Sequence, residues 1–176
     1  MSNRFVVADS RRCIGCGTCM AACMMEHDPI DGVPVPRLTL VKTYRISAPV
    51  GCHHCQDAPC AAACPQNALY ISDEMVKIRQ DRCIGCSSCI LACPFGAVDV
   101  VPSNTTVSGG AFEYRAARKP VVIKCDLCET REDGPACIRA CLTDALAYVD
   151  GEQMERLSRK KQHAAAQAAD MVLSAV

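Results

Sequence analysis

Cys83-Ile-Gly-Cys86-Ser-Ser-Cys89-Ile-Leu-Ala-Cys93-Pro94 is the stretch that decides how this chain is read. Three cysteines stand at every third position, and a fourth follows one residue later than that rhythm requires. Nearly the same phrase opens the chain, as Cys13-Ile-Gly-Cys16-Gly-Thr-Cys19-Met-Ala-Ala-Cys23. Two widened copies complete the series. One is Cys52-His-His-Cys55-Gln-Asp-Ala-Pro-Cys60-Ala-Ala-Ala-Cys64; the other is Cys125-Asp-Leu-Cys128, a longer gap, then Cys137-Ile-Arg-Ala-Cys141. The four groups of four contain all sixteen cysteines of the 176 residues. Self-similarity of this kind is an internal repeat, each copy one supersecondary unit.

Four thiols crowded this closely suit a 4Fe-4S cluster better than the spread ligand pairs of structural zinc. Sixteen cysteines are the full ligand set for four 4Fe-4S clusters, with none missing and none spare. Full ligation leaves no iron with an open position for substrate or Lewis-acid work. The pattern therefore points to electron conduction and assigns no catalytic residue. Taken alone, the fourth group also fits zinc. Beside three iron–sulfur repeats, and with Cys23 otherwise unmatched, iron is the reading carried forward.

Composition agrees with a cofactor-filled interior. The hydrophobic share is 50% with cysteine counted, there is no Trp, and only three Phe and four Tyr supply aromatic bulk. A conventional core would be thin, and metal–sulfur clusters would fill it, coupling folding to their insertion. Lys and Arg balance Asp and Glu at 19 each, with no basic block for nucleic acid. Dense cysteine also marks secreted disulfide scaffolds. Against this, Met1–Cys13 has no apolar signal-peptide run, cysteines rather than an apolar run follow Arg11-Arg12, and the thiols cluster locally. No run is long enough to span a membrane. The expected setting is a reducing, cytoplasmic compartment.

In each group the third and fourth cysteines are four apart, on one face of a short helix. Short strands follow at Ala68–Ile71, Ala97–Val101 and Ala145–Val149, and others precede the first and third groups at Arg4–Ala8 and Met75–Ile78. Ser72-Asp73-Glu74 reads as a hairpin turn. Strand, cysteine loop, helical turn, strand is the half-unit of a bacterial two-cluster ferredoxin. In such proteins the fourth cysteine of one repeat ligates the cluster of the other.

Groups two and three both end in Cys-Pro, at Cys64-Pro65 and Cys93-Pro94; groups one and four end in Cys23-Met24 and Cys141-Leu142. The shared ending pairs two with three and leaves one with four. The expected sets are Cys13, Cys16, Cys19, Cys141 (cluster 1); Cys23, Cys125, Cys128, Cys137 (cluster 2); Cys52, Cys55, Cys60, Cys93 (cluster 3); and Cys64, Cys83, Cys86, Cys89 (cluster 4). Spacing alone leaves the pairing of one with two and three with four open. The expected fold is α+β: two pseudo-symmetric ferredoxin-like modules interleaved in sequence, with short hairpins and helices. Residues 1–33 plus 120–150 form the outer module and 34–101 the inner one. Residues 102–119, with Gly109-Gly110, form a connecting surface loop. Residues 152–176 form a helical tail whose Met154, Leu157, Met171, Val172 and Leu173 have little core to join.

Smaller features fit the same chemistry. Gly15 and Gly85 let backbone approach a cluster so that N–H groups can point at sulfur. Pro65 and Pro94 fix φ and exclude water beside a ligand. His53 and His54 are hydrogen-bond donors beside the ligands, partly exposed side chains, or tuners of a potential that couple it to protons, and Met20, Met24 and Met25 are soft packing. Lys124 is either a surface lysine or a charge that raises a potential.

With all four motifs in hand, the chain resembles the four-cluster ferredoxin-like electron-transfer subunits of the dimethyl sulfoxide reductase and formate dehydrogenase families. Asn3–Asp9, Cys52-His-His-Cys55 with Asp57-Ala-Pro-Cys60, Cys93-Pro-Phe-Gly-Ala97, Lys124-Cys-Asp-Leu-Cys128 and Glu132–Cys137 look most like the small iron–sulfur subunits of formate hydrogenlyase. The resemblance covers residues 1–150. It implies an electron relay between a molybdenum or tungsten formate dehydrogenase and a hydrogenase or other acceptor, and it supports the one-with-four pairing. An iron–sulfur accessory or maturation factor for either enzyme is the alternative. One departure is Leu142, where the family's fourth group has Pro.

Overall fold

The computed structural model describes residues 4–103, 106–109, 112–115 and 119–174. Residues 1–3 of the expected outer module, with Asn3, lie outside them, as do 104–105, 110–111 and 116–118 of the expected loop and 175–176 of the tail. In chain order the first elements are β1 (Phe5–Ala8), α1 (Thr18–Glu26), β2 (Thr39–Lys42), β3 (Ser47–Val50), α2 (Pro59–Ala62), β4 (Leu69–Ser72), β5 (Met75–Ile78) and α3 (Ser88–Ala92). There follow β6 (Val98–Ser103), β7 (Thr106–Gly109), β8 (Phe112–Arg115), β9 (Lys119–Lys124), α4 (Ala136–Arg139), β10 (Leu146–Val149) and α5 (Gly151–Ser174).

Among the described residues the strands form five antiparallel pairs. Three are hairpins of consecutive strands. The tightest joins β4 to β5 through Asp73 and Glu74, both left-handed at φ 53 and 60, the backbone of a type I′ turn. The other two pairs are long-range. β1 lies against β10 with Phe5 opposite Val149, and β6 lies against β9 with Val98 opposite Lys124.

Two differences from the sequence reading concern strands. The expected loop at 102–119 holds the β7–β8 hairpin and the end of β6. Its β-branched and aromatic residues around Gly109 are a hairpin signal that the polar composition outweighed. The β2–β3 hairpin carried no such signal, because Pro36 and Pro49 demote its short runs. Its turn is closed by Thr43, whose Oγ1 accepts the Ile46 N–H at 3.1 Å.

The buried side chains form two clusters. Ala58, Cys60, Leu69, Val76, Cys89, Val98 and Val122 make one; Cys19, Cys23, Leu38, Cys137 and Leu146 make the other. α2 packs on α3 and α1 on α4. Two members sit across the boundaries expected at 34 and 120, since Leu38 packs with the outer groups and Val122, carried by β9, with the inner ones. Phe5, Tyr44, Tyr70, Phe95 and Tyr148 all lie outside the buried clusters, and cysteine sulfur takes the place of aromatic bulk there.

The tail is helical, as α5. Asp150 Oδ1 caps it by accepting the Gln153 N–H at 2.8 Å. Glu152–Arg156 and Glu155–Arg159 pair one turn apart along its exposed surface. No helix among the described residues is long and apolar enough to cross a membrane.

Candidate metal centres

Each cysteine group begins with the same backbone device. The residue two past the first cysteine is left-handed: Gly15 at φ 68, His54 at 44, Gly85 at 73 and Leu127 at 60. That turn brings its N–H back toward the preceding sulfur. The His54 N–H lies 3.4 Å from Cys52 Sγ, the Gly85 N–H 3.4 Å from Cys83 Sγ and the Leu127 N–H 3.5 Å from Cys125 Sγ. At Cys13 a hydroxyl serves instead, with Ser47 Oγ 3.6 Å from the sulfur. Gly85 is required for space as well as for φ, since a Cβ there would stand 2.9 Å from Pro120 Cβ.

A second device recurs at the fourth cysteine. α2, α3 and α4 stop before Cys64, Cys93 and Cys141, and the residue three further on is left-handed: Asn67, Gly96 and Asp144. The next N–H then donates to the cysteine sulfur, from Ala68 at 3.2 Å, Ala97 at 3.4 Å and Ala145 at 3.2 Å. Leu142 leaves this geometry at Cys141 unchanged, although Pro65 and Pro94 occupy the equivalent positions in the other two. All three lie exposed, so the prolines shield little.

Cys23 departs from the pattern. No proline or left-handed residue stops α1, which runs on to Glu26. The Cys23 sulfur takes its N–H from Arg37, at 3.2 Å, and His27 Nδ1 lies 3.7 Å away while donating to the Cys23 carbonyl at 2.8 Å. His27 Nε2 donates to Asp126 Oδ1 at 3.1 Å, and Arg37 pairs with the other carboxylate oxygen. The Asp126 hydrogen bond, reinforced by Cys23, raises His27 to about 10. Sequence reasoning passed over His27, Arg37, Asp126 and Ser47. The only available signal was position, for His27 one turn beyond Cys23 and for Asp126 inside Cys125–Cys128.

The sixteen thiols are all free. Cys13, Cys16, Cys19 and Cys141 line one small cavity, and Cys64, Cys83, Cys86 and Cys89 line another. Burial, and then Cys52 and Cys93, push the Cys60 thiol up to about 11; Cys55 also faces Cys52 and Cys93. Burial pushes Cys137 up to about 12, with Cys125, Cys128 and Cys23 next among its causes. Cys16 and Cys86, both exposed, are instead shifted down by the hydroxyls of Thr18 and Ser88. Buried thiols that resist ionising alone are suited to a cation that ionises them on binding.

Two histidines complete the surroundings. His53 is stacked between Phe5 and Phe95, with ring centroids 4.4 and 3.8 Å away. His54 is buried and neutral, burial pushing it down to about 3. Its Nδ1 accepts the Val76 N–H at 3.1 Å, which puts the proton on Nε2. That N–H has no partner among the described residues, and a cluster sulfide beside Cys52 and Cys55 would supply one. The donor set therefore fits four 4Fe-4S clusters: four thiols per site, N–H groups near the sulfurs, and a buried donor awaiting an acceptor.

Comparison with known proteins agrees. The chain matches the 4Fe-4S dicluster domain over residues 12–69 and 82–146, and a second description of that domain over residues 51–97. The electron transport protein HydN of Escherichia coli (strain K12) is 44% identical over 90% of this chain and 95% of its own length. Formate hydrogenlyase subunit 2 of the same organism is 40% identical, over 90% of this chain and 88% of its own. Hydrogenase-4 component A is 38% identical, over 93% and 91%. The chain belongs to this family of 4Fe-4S dicluster electron-transport proteins.

Proposed function

We propose that this iron–sulfur protein is the electron-transfer subunit between a molybdenum or tungsten formate dehydrogenase and a hydrogenase or other acceptor, without a catalytic site of its own. A bound 4Fe-4S cluster takes up and releases single electrons. The observation that carries the reading is the grouping of all sixteen thiols into fours, with no cysteine left for other work. Cluster 1 belongs to Cys13, Cys16, Cys19 and Cys141, and cluster 2 to Cys23, Cys125, Cys128 and Cys137. Cluster 3 belongs to Cys52, Cys55, Cys60 and Cys93, and cluster 4 to Cys64, Cys83, Cys86 and Cys89. Each pair of repeats exchanges its fourth cysteine, so the chain is two pseudo-symmetric modules interleaved in sequence. The names of HydN, formate hydrogenlyase subunit 2 and hydrogenase-4 component A support the choice of partners, and the cytoplasmic setting rests on the sequence reading alone.

Anaerobic isolation from the native host is the test. The chain should carry about sixteen iron and sixteen sulfide and co-purify in equal amounts with a formate dehydrogenase-type catalytic subunit. Zinc in place of iron would overturn the cofactor reading. Association only with an immature catalytic subunit would overturn the relay in favour of a maturation role.

A further inference from the structure

Lys124 is 2% exposed and is the one buried lysine or arginine among the described residues. It ends β9, and its Nζ makes a hydrogen bond to the Cys125 carbonyl at 2.9 Å. A single neutral acceptor does not offset the desolvation of an ammonium. Burial pushes the Lys124 ammonium below the ordinary lysine range, and negative charge nearby opposes that shift. The negative or ionisable groups facing Lys124 are Cys52, Cys125, Asp126 and Cys60, and neutral His54 also lies within its field. Asp126 is already engaged by His27 and Arg37. What remains are the thiols of two different sets, Cys52 and Cys60 on one side and Cys125 on the other.

These two sets adjoin. A Cβ on Gly51, the residue before Cys52, would stand 3.7 Å from Cys125 Cβ. The other two sets have no buried lysine or arginine among the described residues, Lys42 over the Cys13–Cys16 loop being exposed. No Lys, Arg or His lines the cavity of Cys13, Cys16, Cys19 and Cys141, or that of Cys64, Cys83, Cys86 and Cys89. The charge is therefore placed at the junction of two sites.

Resting on the cluster reading above, we propose that Lys124 is a positioning residue shared by the Cys52/55/60/93 and Cys23/125/128/137 sites. It raises the reduction potential of both clusters together and so favours the presence of an electron at the crossing between the two halves of the chain. A positive charge favours the reduced, more negative form of each neighbour.

The test uses the anaerobically isolated holoprotein, with potentials read by electron paramagnetic resonance during redox titration and iron assayed on the same samples. In K124M and K124Q, with iron still near sixteen per chain, two of the four reduction steps should fall to lower potential. The expected fall is about tenfold in the reduction equilibrium, ~59 mV for one electron, with the other two steps unmoved. K124R keeps the charge and should keep all four. A shift in one step alone, a uniform shift of all four, or no shift would overturn the shared role. Loss of iron from both K124M and K124Q would also overturn it, by assigning Lys124 to folding. A wild-type chain holding zinc or far less iron would remove the cluster reading itself, an outcome visible before any variant is made.

Discussion

The loops Cys13–Cys16 and Cys83–Cys86 make the same left-handed turn as Cys52–Cys55 and Cys125–Cys128, but with different residues at its pivot. The first pair uses Gly15 and Gly85, and each presents an isoleucine and a cysteine to the surface: Ile14 and Ile84 are 67% and 61% exposed. The second pair uses His54 and Leu127, which are buried at 2% and 6%. Holding a non-glycine residue left-handed costs roughly 1–2 kcal/mol. Burying a leucine side chain stabilises by about 1.5–3 kcal/mol, enough to offset that strain where an interior exists to receive it. The outward-facing loops need glycine, whereas the inner ones can carry a side chain, and that side chain brings chemistry such as the unpartnered His54 N–H.

The hardest test of this contrast removes one sulfur from each kind of site. Cys137→Ser, in the buried set, should lose at least one whole cluster, about four iron per chain, and leave the protein aggregating. Cys86→Ser, at an exposed position, should stay folded with about twelve iron. Iron and sulfide assays beside gel filtration read both. Equal damage would erase the distinction between inner and outer sites. Next in size is Gly85→Ala, where the positive φ and the contact with Pro120 should together cost about 2–4 kcal/mol. Gly17→Ala, with nothing within 4 Å of its Cβ, should cost only about 1 kcal/mol. Denaturant midpoints under argon compare them.

A smaller effect concerns the Cys23/125/128/137 site alone. Because His27 is raised to about 10, the stability it contributes is complete below pH 6.5 and is lost as pH rises through about 10. Asp126→Asn removes the main cause and should flatten that decline in apparent melting temperature; an unchanged pH profile would show that the pair does not act. Smallest is Phe95→Ala, which opens the stack on His53 and should cost about 1 kcal/mol. A null result there would make the stack incidental.

How much of this was written in the chain varies with the range of the contact. The cysteine spacing marks the four groups of thiols, and for two of the expected sets, Cys13, Cys16, Cys19, Cys141 and Cys64, Cys83, Cys86, Cys89, the four members line one cavity. The hairpin at Asp73-Glu74 and the five expected strands were equally local. The β2–β3 hairpin was not legible, because its prolines argue against strands and its stability comes from packing beside Cys13 and Leu38. Nor was Lys124's burial, since adjacency to Cys125 does not reveal that Cys52 lies across from it. The His27–Asp126–Arg37 group joins residues far apart in sequence, and no local period announces such a contact.

The pairing of β1 with β10 also sets an order of events. Cys13, Cys16 and Cys19 leave the ribosome first, yet Cys141, which lines the same cavity, leaves almost last. At ~5–20 residues per second the interval is on the order of ten seconds. Cys52 through Cys93 are all available well before it closes. The inner half can therefore be completed while the outer half is still being synthesised, and a prematurely terminated chain would expose three thiols with no fourth. The strand β10 thus serves as a check: only a chain extended through Cys141 and β10 can seal the site that Cys13 opens.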